Sequence, residues 1–210
     1  AELDIKKKSI DGIFSCIEFS KLNKNDELKE LEYAYQKHIE LWPKSKKSKQ
    51  IFPKLFSLYL AKNDLTKTQN TLDRFIASFK KSKKKQMELF TIQLDHIIKL
   101  KDSNLLADKI NLLNTGYLKF DNEMVKKTEK ILATMLFNEY QALNSKGESK
   151  LALEGYKKIF YTKKYPQSIK ADAAFNMGII YVDLYQTKDA IKWFEKGFPL
   201  FTSLEMDKRR

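Results

Sequence analysis

ADAAFNMGIIYVDLYQTKDAIKWFEKGF, residues 171–198, decides how the rest of the chain is read. Its apolar residues recur at three- and four-residue spacing on either side of the polar break Tyr185-Gln186, which describes two short amphipathic helices packed back to back. Gly178 in the first helix lets the second approach closely, with Tyr181 one turn further on. Ala190 opens the second helix, and Phe194 and Gly197 follow one and two turns later. A pair this short cannot bury its own apolar faces, so it implies neighbours of the same kind.

Those neighbours are visible upstream. LALEGYKKIFYTKKYPQS, residues 151–168, aligns Ala152 with Ala190 and Tyr156 with Phe194. The same stretch aligns with the helix before Trp42: Tyr33 matches Tyr156, and Pro43-Lys44-Ser45 matches Pro166-Gln167-Ser168. Residues 59–79 align with 181–201, placing Tyr59 on Tyr181, Leu72 on Phe194 and Phe79 on Phe201.

This order of small and large residues resembles the tetratricopeptide repeat (TPR), a helix-turn-helix unit that stacks into solenoids. Ala152 and Ala190 are 38 positions apart, against about 34 for the repeat class. Longer repeats with a tyrosine–proline junction look like those of bacterial envelope-type TPR proteins. The resemblance is strongest over residues 133–201. It implies an all-α fold, a right-handed α-solenoid of about five helix-turn-helix repeats forming a single domain over 1–210. The clearest repeats are 133–166 and 171–201. Those within 10–120 are degenerate, with Phe56 where Gly178 would be and Thr68 where Ala190 would be.

Punctuation in the chain sets the expected pairs: 10–22 with 26–42, 48–61 with 66–79, 84–100 with 103–120, 122–144 with 148–163, and 169–184 with 187–198. Pro43 ends one helix, Pro53 falls in the first turn of another, and Pro199 closes the last. Asn63-Asp64 and Gly147 are turns, and Ser103 is an N-cap.

The chain has 210 residues, 42% hydrophobic and 32% charged, with only 6 Gly and 4 Pro, a balance that favours helices over an all-β fold. The formal charge of +13 attracts anionic partners such as acidic proteins, nucleic acid or an anionic membrane surface. Lys outweighs Arg, which disfavours a dedicated base-reading protein. The single Cys16, flanked by Ile13, Phe14 and Ile17, reads as a buried structural thiol and excludes an internal disulfide.

Catalysis has little to work with. His38 and His96 lie far apart, each in a helical pattern, and read as ordinary surface or half-buried histidines. No phosphate loop and no serine-nucleophile motif occurs. Carboxylates such as Glu27 and Glu30 lie beside lysines on polar faces and read as solvated pairs. We therefore expect no enzyme, no cofactor and no metal. Most aromatic residues fall on apolar faces and read as core, with Tyr161 and Tyr185 the expected exposed exceptions.

Two surfaces are candidates for a partner. A groove lined by first-helix side chains is implied by the TPR resemblance, through Asn176, Tyr181 and Asp183, with Lys54 and Ser57 in the second pair. A basic edge comes from Lys44, Lys46, Lys47 and Lys49, then Lys80, Lys81, Lys83, Lys84 and Lys85, each cluster falling between helix pairs. Weaker clusters follow at Lys126-Lys127, Lys163-Lys164 and Lys208-Arg209-Arg210. The expected function is a non-catalytic protein–protein interaction scaffold or adaptor, with an acidic or peptide-like partner. The alternative is RNA or single-stranded DNA binding along the lysine-rich edge. The resemblance implies a periplasmic or cell-envelope setting. An exposed apolar face on the last helix (Trp193, Phe198, Leu200, Phe201) would allow self-association through that helix.

Overall fold

The computed structural model describes residues 24–118 and 122–208, together with Lys8 and Gly12, with side chains as far as 202. Apart from Gly12, the expected helix 10–22, with Cys16, and the terminal Arg209-Arg210 lie outside the described residues. All regular structure among the described residues is helical. The chain divides into two units, Ala1–His96 and Ile97–Arg210.

In the first unit α1 (Lys24–Leu41), α2 (Lys46–Ala61) and α3 (Leu65–Ser78) pack in order, α1 on α2 and α2 on α3. α4 (Lys83–Leu100) begins here and crosses into the second unit. Pro43 follows the end of α1 as expected. The Ser45 side chain accepts from Ser48 N at 3.0 Å and starts α2 at Lys46, two residues earlier than the sequence suggests. Pro53 consequently lies inside the helix rather than in its first turn, and the Lys49 carbonyl receives no ladder hydrogen bond from it. The α2–α3 turn is the expected Asn63-Asp64: Asn63 has φ 55°, and the Asp64 side chain accepts from Lys67 N at 2.9 Å.

The core of this unit is aromatic. Phe52 meets Phe75 at 5.7 Å and Phe79 at 6.1 Å between ring centroids, and Phe75 meets Phe79 at 5.3 Å. Phe56 and Phe90 are fully buried with them. Thr68, where the repeat pattern would have alanine, is buried too, its hydroxyl donating to the Asp64 carbonyl at 2.7 Å. The Gln86 amide donates to the Phe79 carbonyl at 2.9 Å, and His96 Nε2 lies 2.7 Å from Asn63 Oδ1. These two contacts lay α4 antiparallel to α3.

In the second unit α5 (Ser103–Asn114) packs on α6 (Asn122–Ser145), α6 on α7 (Ser149–Tyr161), α7 on α8 (Gln167–Asp183) and α8 on α9 (Thr187–Lys208). α6 also reaches α8, so successive hairpins stack. Asp102, not Ser103, caps α5 by accepting from Leu105 N at 2.9 Å. The Ser103 hydroxyl donates instead to Glu139 Oε2 at 3.0 Å and ties α5 to α6. α5 stops at Asn114 rather than continuing towards Phe120, which lies outside the described residues. Thr115 turns its hydroxyl back to the Leu112 carbonyl at 2.7 Å, and Gly116 adopts φ 81°. Gly147, at φ 85°, makes the expected α6–α7 turn. Pro199 does not end the last helix; α9 runs through it to Lys208.

Close approach in this unit rests on glycine beneath an aromatic ring. A Cβ on Gly178 would lie 2.4 Å from Phe194 Cε1, as the sequence anticipates. The α6/α7 hairpin reverses the roles: the ring is Tyr140 on the first helix, and the gap beneath it is Gly155 on the second, where a Cβ would lie 2.3 Å from the ring. Ala133, Ala152, Ala173, Ala174, Met177 and Tyr156 fill the core between the two hairpins.

Candidate partner-binding surfaces

The lysine clusters of the first unit gather at one of its ends. α1 and α2 are joined there, and so are the antiparallel α3 and α4. The 6.1 Å contact of Phe52, near the start of α2, with Phe79, just past α3, links the two junctions directly. Lys44 lies in the first junction, and Lys46, Lys47 and Lys49 open α2. Lys80 and Lys81 lie in the second junction, and Lys83, Lys84 and Lys85 open α4. All are exposed except Lys85, which is half-buried and holds Glu88 Oε1 at 2.6 Å. Neither α2 nor α4 carries an acid in its first turn. Helix N-termini are already the positive ends of their backbone dipoles, so the lysines reinforce a positive field that acids would normally offset.

Lys54 and Ser57 are exposed on α2, on the face away from Phe52 and Phe56. On α8, Asn176 and Asp183 are two turns apart and share one side of the helix, Asp183 exposed and Asn176 half-buried. The Asn176 amide donates to the Asp172 carbonyl at 2.8 Å, one turn back in its own helix. Tyr181 does not join them. It packs on the core towards α7, with Lys157 Nζ 6.0 Å from its ring, and lines an open cleft of about 530 Å³ with Lys150, Leu153 and Glu154. The groove residues of the second unit therefore divide between two faces of α8.

A polar cluster lies on the first unit where α1 crosses the α2–α3 turn. Glu32 accepts from Lys62 at 2.5 Å, and Lys67 approaches within 3.7 Å. Burial pushes the Glu32 carboxyl up, but the Lys62 hydrogen bond and charge, aided by Lys67, hold it below its ordinary 4.5. The Gln36 amide donates to the Tyr59 hydroxyl beside it. Glu40, Asn70 and Arg74 border the adjoining cleft of about 260 Å³. The cluster braces three helices. No group of three or more His, Cys, Asp or Glu able to hold a metal occurs among the described residues.

His38 is buried rather than superficial, 2% exposed. Its Nε2 lies 3.3 Å from Ser45 Oγ and its ring packs on Trp42 at 5.1 Å, so it locks the α1–α2 junction. Tyr185 is 94% exposed, at φ 58° in the α8–α9 turn, and Tyr161 is 62% exposed, as expected. Tyr161 is nevertheless engaged: Lys196 Nζ donates to its hydroxyl at 3.0 Å and lies 4.4 Å over Trp193. Trp193 itself is buried against Phe160 at 5.3 Å and does not belong to an exposed terminal face. Phe198 does, and Phe201 is half-buried. The sequence pattern did not single out Phe175, whose exposed ring meets Phe194 at 5.6 Å.

No protein-family model and no curated protein matches the chain. Solved structures do. One of MamA is 18% identical, covering 87% of this chain and 93% of its own, with a TM-score of 0.32. A second of MamA is 17% identical, covering 94% and 91%, with a TM-score of 0.33. YrrB, described as a TPR protein with an unusual peptide-binding site, is 18% identical, covering 87% and 84%, with a TM-score of 0.31. Overlaps this loose carry no residue and no partner across. The helix order and the packing of consecutive hairpins make the chain an all-α, TPR-like repeat protein on its own coordinates.

Proposed function

We propose that this chain is a non-catalytic scaffold or adaptor that holds an acidic or peptide-like partner protein. One observation carries the reading: two lysine clusters converge on one end of the first unit, at the starts of α2 and α4, with no acid in either first turn. Cations there oppose the helix dipole and cost some stability, so the arrangement favours an incoming anion over the isolated fold. Exposed Lys54 and Ser57 on α2, and Asn176 and Asp183 on α8, supply polar contacts of the kind a bound chain uses. The resemblance of the repeats to envelope-type TPR proteins supports reading this role as one in a bacterial complex at the cell envelope.

The test is charge reversal of Lys80, Lys81, Lys83 and Lys84 to Glu, with binding of labelled poly-glutamate and of single-stranded poly-uridylate measured across a salt series. The expected result is saturable poly-glutamate binding that the reversal weakens by tenfold or more, as loss of a steering patch predicts. Unchanged poly-glutamate binding would sink the proposal. Preferential binding of the polynucleotide, with log affinity falling steeply as several counterions are released, would place nucleic acid first instead.

A further inference from the structure

We propose that the outward face of the α8/α9 hairpin is an acceptor for an amphipathic helix of a separate protein, one whose alanine and aliphatic stripe is flanked by Lys or Arg.

The internal repeat says what such a face is built to receive. The α6/α7 hairpin presents Phe137, Tyr156 and Phe160 to the hairpin that follows it. Ala173 and Met177 of α8, and Trp193 of α9, complete the core over them, so Tyr156 is only 1% exposed. The repeat offset carries Phe137, Tyr156 and Phe160 to Phe175, Phe194 and Phe198. In the last hairpin two of these positions are uncovered, Phe198 at 70% and Phe175 at 49% exposed, and Phe194 is half-buried. With Asp172, Gly197 and Phe201 they line a cavity of about 540 Å³. Ile179 on α8 and Ile191 on α9 are exposed as well. The face thus continues an interface that the molecule already makes once, one repeat earlier.

That earlier interface also specifies the occupant. α8 covers its neighbour with Ile169, Ala173, Met177 and Ile180, a stripe at helical spacing in which alanine allows close approach to the rings. A helix bearing a similar stripe would fill the cavity with apolar contacts and remove a large aromatic surface from water.

Charge separates a foreign helix from a second copy of this chain. The chain has 40 Lys and Arg, yet among the described residues Asp172 is the only charged one lining the cavity. A partner helix with basic flanks would complement that carboxylate. A second copy docked by the same face would bring its own Asp172 carboxylate towards this one instead of a basic flank. This reading is independent of the lysine-rich end of the first unit, and charge reversal there leaves it untouched.

The probe is the α8 sequence itself, residues 167–183, made as a fluorescein-labelled peptide with two added lysines at each end. Its anisotropy is followed on titration with the full chain, with Phe198→Asp and Ile191→Asp as face variants and Leu151→Asp, an equally exposed position on α7, as control. Circular dichroism verifies that each variant keeps the parent helicity. The expected result is saturable binding that either face variant weakens about tenfold or more, as for an anchor residue, and that the control changes by less than about twofold. Absence of saturable binding up to about 0.5 mM, a concentration that would nearly saturate a complex of about 0.1 mM affinity, would overturn the proposal. Equal binding by all variants would overturn it too. So would a parent chain that sediments as a dimer and becomes monomeric on Phe198→Asp, because the face would then belong to a second copy.

Discussion

Phe56 lies fully buried on α2 in the first unit, whereas the matching position on α8 in the second is Gly178, with the Phe194 ring laid over it. The difference extends through both cores. The first unit fills the space between helices with Phe52, Phe56, Phe75 and Phe90. The second brings helices together over Gly155, Gly178 and Gly197 and lines the seam with alanines. Helix hairpins can therefore be closed either by a large residue that spans a gap or by a small one that abolishes it. A repeat signature built on glycine and alanine reports only the second solution.

The largest test removes a gap-filling ring. Phe56→Ala should cost about 3–5 kcal/mol, the usual cost of deleting a buried phenyl group. A loss below about 1 kcal/mol in urea unfolding would mean that the first unit closes around a small residue as readily as the second does.

Burial raises three tyrosines in the second unit, against Tyr59 in the first, and alkaline titration exposes this. Burial pushes the Tyr156 hydroxyl up to about 12 and raises Tyr140 and Tyr165 too. Between pH 10 and 12 the unfolded chain releases the Tyr156 proton while the folded chain keeps it. Stability contributed by the neutral hydroxyl is thus present below pH 10 and falls above it, by about 1.4 kcal/mol per pH unit for one group. Tyr156→Phe should flatten that slope; a slope unaltered by the substitution would remove Tyr156 from the account.

Gly155→Ala addresses close approach itself. Its Cβ would lie 2.3 Å from the Tyr140 ring. Overpacking at about 1–3 kcal/mol should outweigh the better helix propensity of alanine, which is about 0.5–1 kcal/mol. Adding Tyr140→Leu should recover part of the loss, a coupling that a double-mutant cycle measures. A stabilising Gly155→Ala would show that the seam has slack.

The smallest effect has the opposite sign. Gln93 on α4 is fully buried, and neither atom of its amide meets a hydrogen-bond partner among the described residues. Gln93→Leu should raise the thermal midpoint, with a gain of about 1 kcal/mol from relieving an unsatisfied amide. A lowered midpoint would mean that the amide is satisfied in solution.

Much of this fold was legible because helices announce themselves locally. Three- and four-residue periodicity placed the described helices, and Pro43, Asn63-Asp64 and Gly147 marked their ends through backbone constraints that depend on nearest neighbours alone. Boundaries shifted where a competing side chain decided the start. Ser45 capped α2 early enough to draw Pro53 into the helix, and Asp102 displaced Ser103 from the cap of α5. The surfaces were harder to read. Composition along the chain gave the lysine clusters of the first unit, and alternation of helix direction brought them to one end. The groove set was only partly coherent, because five residues along α8, from Asn176 to Tyr181, rotate a side chain to another face of the helix.

By itself the sequence determined the described helices, most of their turns, the excess of positive charge and the Gly178 close approach, all properties of short windows. Only the tertiary structure decided that Tyr140 overlies Gly155, that Trp193 is buried with Lys196 across its ring, and that Phe175 joins Phe198 at an uncovered cavity. Each depends on which residue of a neighbouring helix arrives opposite, and periodicity along one helix does not encode that choice.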